Sequence, residues 1–401
     1  MMRILKLGPK HNTGYSAVTL GNDELKCLTE GCYKGRGLSG RLGQIFLKEN
    51  RRMLLGVARL GLAAVVAFAT GSSWAFAISE AILERDWDMV INRSWQACYA
   101  GAFSDGEGNL KKVAYRRCGP KTPKKPVVII PGYTEPAMKY AELVGDLAQQ
   151  MPDRGPWYVL DLPGQGDSDK LFDEVPAHDQ RLVHLDVPER YPQALINFLQ
   201  KIVLPENDNH VPDVIGHSTG ALIAIVVFSK KPELAGSLVL SAPLIEPKMP
   251  VPSFFALGVS KLYCELGLCA APVWGRNPVP LETRTFEDNI STTSRARWAA
   301  SYRIAKTYPG YYSSGASWGW LHSALTLGTA AKREETSMSH RTLMLMADDD
   351  RFVEAWPSDQ LCKRSARCER VFFAQSRHEI LNEVDSIRDQ ALARIQNFLM
   401  L

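Results

Sequence analysis

The order of apolar runs and turn signals along this chain predicts an α/β fold: a mostly parallel central sheet, helices on both faces, and a helical cap inserted late in the sequence. Three observations carry that prediction. From about residue 98, short apolar runs alternate with longer helical patterns. One run, Val211 to Ile215, leads into Gly216-His217-Ser218-Thr219-Gly220 and then the small, apolar stretch Ala221 to Phe228, which reads as strand, tight turn and helix. Finally, about a hundred residues between Ser241 and Arg341 do not alternate at all.

The elements follow in order. Two strands, near Gly101 and Val113, bracket the hairpin signal Asp105-Gly106-Glu107-Gly108-Asn109. Pro126 to Ile130 is a continuous apolar run suited to a buried parallel strand. A helix over Met138 to Gln149 leads to a strand over Trp157 to Leu160, which ends in Asp161-Leu162-Pro163-Gly164-Gln165-Gly166-Asp167-Ser168. Tyr191 to Val203 reads as helix. After the strand into Gly216 come strands at Ser237 to Ser241, Arg341 to Ala347 and Arg370 to Phe373. A helix over Asp385 to Leu399 closes the chain, apolar at Ile387, Leu392, Ile395 and Phe398. The segment 243–338 is rich in Pro, Trp, Tyr and Ser and reads as a cap, its aromatics mostly packing, some lining an apolar pocket.

Composition bounds the class. The 401 residues are 45% apolar and 22% charged, ordinary for a globular chain. Residues 1–52 hold ten Lys/Arg and four Asp/Glu, whereas the remainder holds 37 and 39. The body is therefore near neutral, with no basic stripe for nucleic acid. Leu60 to Ile78 is an uncharged run preceded by Lys48, Arg51, Arg52 and Arg59 and ending near Ala75-Phe76-Ala77. That pattern predicts a signal peptide over 53–78, with Met53 as a possible true start. An uncleaved anchor with its N-terminus inside and a buried core helix are the competing readings. Residues 1–52 are then a basic extension, poorly ordered or absent from the mature protein, and 79–401 is the folded domain. Export fits the cysteines. Six follow residue 78 in three local pairs, Cys98 with Cys118, Cys264 with Cys269, and Cys362 with Cys368. Free thiols in a cytosolic protein are the alternative. No pair has His or Cys at zinc-site spacing, so no metal is expected.

A serine hydroxyl needs a base to take its proton, and the base needs an orienting acid. In this strand-and-turn architecture the acid and then the histidine follow the serine along the chain. Ser218 is the candidate nucleophile. His378 is the only histidine after the penultimate strand, in a short loop between Phe373 and a helix, and is the candidate base. His217 lies in the turn and is expected to point elsewhere; His322 and His340 precede the acid position and read as surface or cap residues. Asp348, Asp349 and Asp350 all follow the strand at Leu343 to Met346; Asp350, in Asp350-Arg351-Phe352-Val353, is preferred, and the others stay open as members of a solvated turn. Backbone N–H groups of Thr219 and of Tyr133, in Pro131-Gly132-Tyr133-Thr134-Glu135, are the candidate oxyanion donors. No cofactor is called for.

Together these motifs resemble the α/β-hydrolase superfamily, and within it the bacterial lysophospholipase and monoacylglycerol lipase branch of the serine aminopeptidase-like group. The resemblance rests on Pro131-Gly132-Tyr133, Lys139-Tyr140-Ala141-Glu142-Leu143, Asp161 to Ser168, Gly216 to Gly220, Asp350 to Val353, His378-Glu379-Ile380-Leu381 and the cap start from Met249-Pro250 to Phe254. It covers about residues 98–400. Many relatives have His-Gly where this chain has Pro131-Gly132, which puts that loop's hydrogen bonding in question. The resemblance implies hydrolysis of a carboxylic ester in a single-chain lipid, and export would place Ser218 where it meets a membrane surface. Glu282, Glu287 and Asp288 in the cap keep an aminopeptidase open, since a substrate amine needs an acidic clamp. Acyl transfer to another acceptor and a non-catalytic binding module are further alternatives. The oligomeric state is not legible.

Overall fold

The computed structural model describes residues 80–401 apart from 88–89, 92–94, 96–97, 105–110, 120–124, 172–178 and 334–335. The basic extension, the signal or anchor segment and the turn of the first hairpin lie outside the described residues. Eight strands are present: β1 (Tyr99–Ser104), β2 (Lys112–Cys118), β3 (Lys125–Ile130), β4 (Arg154–Leu160), β5 (Asp213–His217), β6 (Leu238–Ser241), β7 (Thr342–Ala347) and β8 (Cys368–Phe373). They form one sheet in the order β1-β2-β4-β3-β5-β6-β7-β8. β2 pairs antiparallel with β1 and β4; every other pairing is parallel.

Side chains on a strand alternate between faces, and the central strands are apolar on both. In β3, Val128 and Ile130 enter one core with Leu222 and Phe198, while Val127 and Ile129 enter the other with Leu147 and Ile395. Each fully buried aliphatic side chain contributes about 1.5–3 kcal/mol. The α-helices of six residues or more are α1 (Glu80–Arg85), α2 (Ala141–Gln150), α3 (Arg190–Phe198), α4 (Thr219–Phe228), α5 (Ser253–Glu265), α6 (Arg295–Thr307), α7 (Trp318–Lys332), α8 (Ala355–Arg364) and α9 (Asp385–Met400). Each residue of α4 is buried, which is why its sequence lacks an amphipathic pattern.

The predicted cap is helical and comprises α5, α6 and α7. Ser294 and Ser317 start α6 and α7 by accepting the N–H of Arg297 and Trp320. In packing it divides in two: α7 lies against α5 and α4, whereas α6 lies against α1 and the 3-10 turn Ala137–Tyr140. The predicted cysteine pairs are all bonded. Tyr99 faces Arg117 in the first hairpin, and this register brings Cys98 opposite Cys118.

Three expectations need correction. The strand into Gly216 runs over Asp213–His217 rather than from Val211. Pro212 cannot donate to a ladder, and although β5 is buried throughout, its polar Asp213 is tolerated because its charge is answered. Asp213 pairs with Arg154 and accepts the Ser237 N–H. Second, the helix expected over Tyr191 to Val203 passes from α3 into a π-helical turn, Leu199–Val203. Third, His340 is neither surface nor cap. It is buried against Phe228, with Nε2 at 2.9 Å from the Pro232 carbonyl. His322 does lie in the cap, on α7.

Candidate active site

The parallel strands β3, β5, β7 and β8 deliver their carboxyl ends to one edge of the sheet, where ligands of such sheets bind. Ser218 follows β5 at φ 50°, ψ −112°, a conformation a non-glycine residue rarely adopts. Such strain costs about 1–3 kcal/mol and persists only where surroundings hold it. Here the Ser218 N–H donates to the Ser241 carbonyl, and the Ser218 carbonyl accepts from Leu222 and Leu244. Glycine is required on either side. A Cβ on Gly220 would lie 2.1 Å from the Ile130 carbonyl oxygen, and one on Gly216 would lie 2.8 Å from the Ala221 backbone.

His378 Nε2 lies 2.9 Å from Ser218 Oγ, and its Nδ1 lies 2.7 Å from Asp350 Oδ2. The other Asp350 oxygen accepts the N–H groups of Phe352 and Val353. Burial pushes the Asp350 carboxyl up, but the His378 hydrogen bond and these amides outweigh it and hold it below the usual carboxylate range. The other two aspartates are elsewhere engaged or in solvent. Asp349 pairs with Arg351 at the surface, and Asp348 is exposed. His217 does not bond Ser218. Its Nε2 lies 3.8 Å from Glu135, and its ring stands 5.0 Å from that of His378. Burial lowers its pKa and favours the neutral ring.

The loop after β3 abuts the nucleophile: a Cβ on Gly132 would lie 3.2 Å from that of Ser218. Its hydrogen bonds, in question from the sequence, come from Glu135 and Gln165 rather than from a histidine. The Gly132 N–H donates to Glu135 Oε2 at 2.7 Å, and the Gly132 carbonyl accepts from Gln165 Nε2. The Thr134 N–H donates to Gln165 Oε1. Between these tethered neighbours the Tyr133 N–H has no partner among the described residues, nor has that of Thr219 at the first position of α4. The Tyr133 side chain faces the cap. Its hydroxyl donates to the Gly315 carbonyl, and its ring lies 4.1 Å from that of Trp320.

All five predicted site residues are therefore brought together. Glu135, Gln165, Lys139 and Glu379 were not assigned roles from sequence, although each stands in a motif quoted above. Glu135 stands within five residues of its partners Gly132, Lys139 and Tyr140, a spacing the sequence does offer, whereas Gln165 and Glu379 meet theirs across the fold. An arrangement of this kind can deprotonate a serine, form an acyl intermediate and accept an oxyanion on two amides.

Strand order and this edge define an α/β-hydrolase. A family model described as serine aminopeptidase, S33, matches residues 121–385, and the chain belongs to that family. It is a serine ester hydrolase. By sequence it is similar to lysophospholipase L2 of Escherichia coli strain K12, 28% identical over 284 residues, covering 68% of this chain and 79% of that protein. By structure it is similar to a soluble variant of monoglyceride lipase from Saccharomyces cerevisiae, with TM-score 0.59 and 14% identity over 77% of this chain and 96% of the other. It is also similar to a thermostable carboxyl esterase from Bacillus coagulans, with TM-score 0.58 and 16% identity over 76% and 98%.

Proposed function

We propose that the chain hydrolyses carboxylic esters of single-chain lipids, lysophospholipids or monoacylglycerols, through an acyl-enzyme on Ser218. The observation that carries the mechanism is the continuous hydrogen-bond chain from Ser218 through His378 to Asp350. Ser218 Oγ attacks the ester carbonyl carbon as His378 Nε2 takes its proton. Asp350 orients the ring through Nδ1 and stabilises the imidazolium that forms. The tetrahedral oxyanion is held by the Thr219 and Tyr133 N–H groups, each worth roughly 3 kcal/mol in the transition state. Collapse expels the alcohol, which receives the proton from His378. Water activated by the same base then releases the fatty acid and restores Ser218.

The lipid class is supported by the similarity to a lysophospholipase L2. The aminopeptidase reading is less favoured because two of the three acids of its clamp are otherwise employed, Glu287 with Arg295 in solvent and Asp288 with Thr285, while Glu282 is exposed. A binding module would have no reason to keep the full Ser218–His378–Asp350 chain. An acyltransferase would differ only in the acceptor of the same acyl group. Three disulfides among the described residues support export to an oxidising compartment.

A lipid surface as partner is supported by the cap. On α5 and the loop after it Phe254 is 78% exposed, Leu266 65% and Trp274 70%, with Phe255, Leu262 and Leu268 also in solvent. Over residues 247–280 the chain carries Lys248, Lys261 and Arg276 against the single acid Glu265, a balance that favours an anionic bilayer. The test of substrate class is a side-by-side assay of lysophosphatidylcholine, a monoacylglycerol and a proline amide. The lipid esters should be hydrolysed and the amide spared; preference for the amide would contradict the proposal.

A further inference from the structure

We propose that Lys139 is a positioning residue that ties the loop carrying the oxyanion donor to the loop carrying the base. The proposal rests on the reading of Ser218, His378 and Tyr133 given above.

Lys139 belongs to the 3-10 turn Ala137–Tyr140 and has a side chain only 10% exposed. Its ammonium contacts two carboxylates from opposite sides of the site, Glu135 Oε1 at 2.6 Å and Glu379 Oε2 at 2.7 Å. Glu135 in turn uses Oε2 to accept the Gly132 N–H, immediately before Tyr133, and the Tyr140 hydroxyl at 2.5 Å. Glu379 is the residue after His378, and its own N–H is held by the Ser291 carbonyl. A continuous path therefore runs from the Tyr133 amide through Gly132, Glu135, Lys139 and Glu379 to His378. Among the described residues His217 also faces the cluster, at 3.8 Å from Glu135, and Lys139 lines a small cavity together with Glu142 and Arg297.

Burial alone would push the Glu135 carboxyl up, but the adjacent ammonium wins and holds it below the usual range. The two carboxylates likewise raise Lys139 against the effect of its burial. Such a cluster is a poor device for stability alone, because apolar packing of similar volume commonly does as well or better. Its value lies in geometry. Catalytic groups must be held within about 0.5 Å of the productive arrangement, and one misplaced oxyanion donor lowers kcat about 10²–10³-fold. Because the donors engage charge that exists only in the transition state, loosening them lowers kcat and leaves KM nearly unchanged.

The experiment measures kcat and KM for hydrolysis of p-nitrophenyl butyrate, well below each variant's melting temperature, in Lys139→Met, Lys139→Arg and Glu379→Leu. Lys139→Met should lose about 10²-fold in kcat with KM within about threefold. Lys139→Arg, which can still bridge two carboxylates, should recover most of the rate. Glu379→Leu frees the base loop while keeping the Glu135 pair and should lose about tenfold or more in kcat. A folded Lys139→Met with the wild-type kcat overturns the proposal. Should that variant fail to fold, wild-type kcat in Glu379→Leu overturns it instead. Ser218→Ala in the same series separates the two readings: hydrolysis surviving there removes the reading of the site itself, whereas its loss alongside a fully active Lys139→Met removes only the tether.

Discussion

At the scale of single residues, the choice among the three aspartates turns on what an amide would do in each place. Asp350 is buried and has both oxygens occupied, one by His378 and one by two backbone amides. An asparagine there keeps the shape but loses the charge that stabilises the imidazolium, and its NH₂ favours the wrong tautomer of the ring. Asp350→Asn should therefore lower kcat for ester hydrolysis about 10⁴-fold with the melting temperature little changed; Asp349→Asn, at the surface, should not. The serine and histidine were legible from sequence because strand order leaves each a single position. The acid was legible only as a preference: Asp350-Arg351-Phe352-Val353 favours Asp350, but it is burial that separates it from Asp348 and Asp349. Glu135 and Gln165 were illegible for a related reason. A carboxylate or amide in a loop reads as solvated unless the N–H groups it receives are known, and two of those it receives come from Gly132 and Thr134.

At the scale of elements, the first hairpin is the one most dependent on a covalent link. β1 is at the edge of the sheet and largely exposed, paired only with β2, and Cys98–Cys118 closes a separation of 20 residues across it. In the chain-entropy view that closure contributes about 3 kcal/mol. A Cys98→Ala/Cys118→Ala variant should melt roughly 5 °C lower, with kcat on a soluble ester near wild type because the site lies on β3, β5, β7 and β8. A scanning calorimetry comparison checks both halves. The parallel strands were legible because they are continuous apolar runs bounded by turn residues. The start of β5 was not, because Val211 and Pro212 read as part of the apolar run, although Pro212 has no N–H to give to a ladder. The packing before residue 98 was also missed, although Trp87, Val90, Ile91 and Trp95 fall at helical spacing. Val90 and Trp87 pack against Ala296 and Ala300 of α6, a partner two hundred residues away.

At the scale of the whole molecule, a near-neutral body exposes several large apolar side chains on the cap, Phe254, Phe255, Leu266 and Trp274 among the described residues. The segment before it connects to the site: Lys248 donates to the Asp350 carbonyl, and its own N–H to that of Phe352, whose ring lies 5.1 Å from His378. The proposed lipid-contacting surface on α5 is thereby linked through Lys248 to the loop that carries Asp350. Phe254→Ser/Phe255→Ser should slow hydrolysis of lysophospholipid in anionic vesicles several-fold while leaving a soluble short-chain ester within about twofold; equal effects on both would contradict the surface role. The most direct test of the account is hydrolysis of lysophosphatidylcholine by the chain and by Ser218→Ala at matched thermal stability. Release of fatty acid is expected from the first, with a loss of at least about 10⁴-fold in the second. Comparable release by both would contradict it.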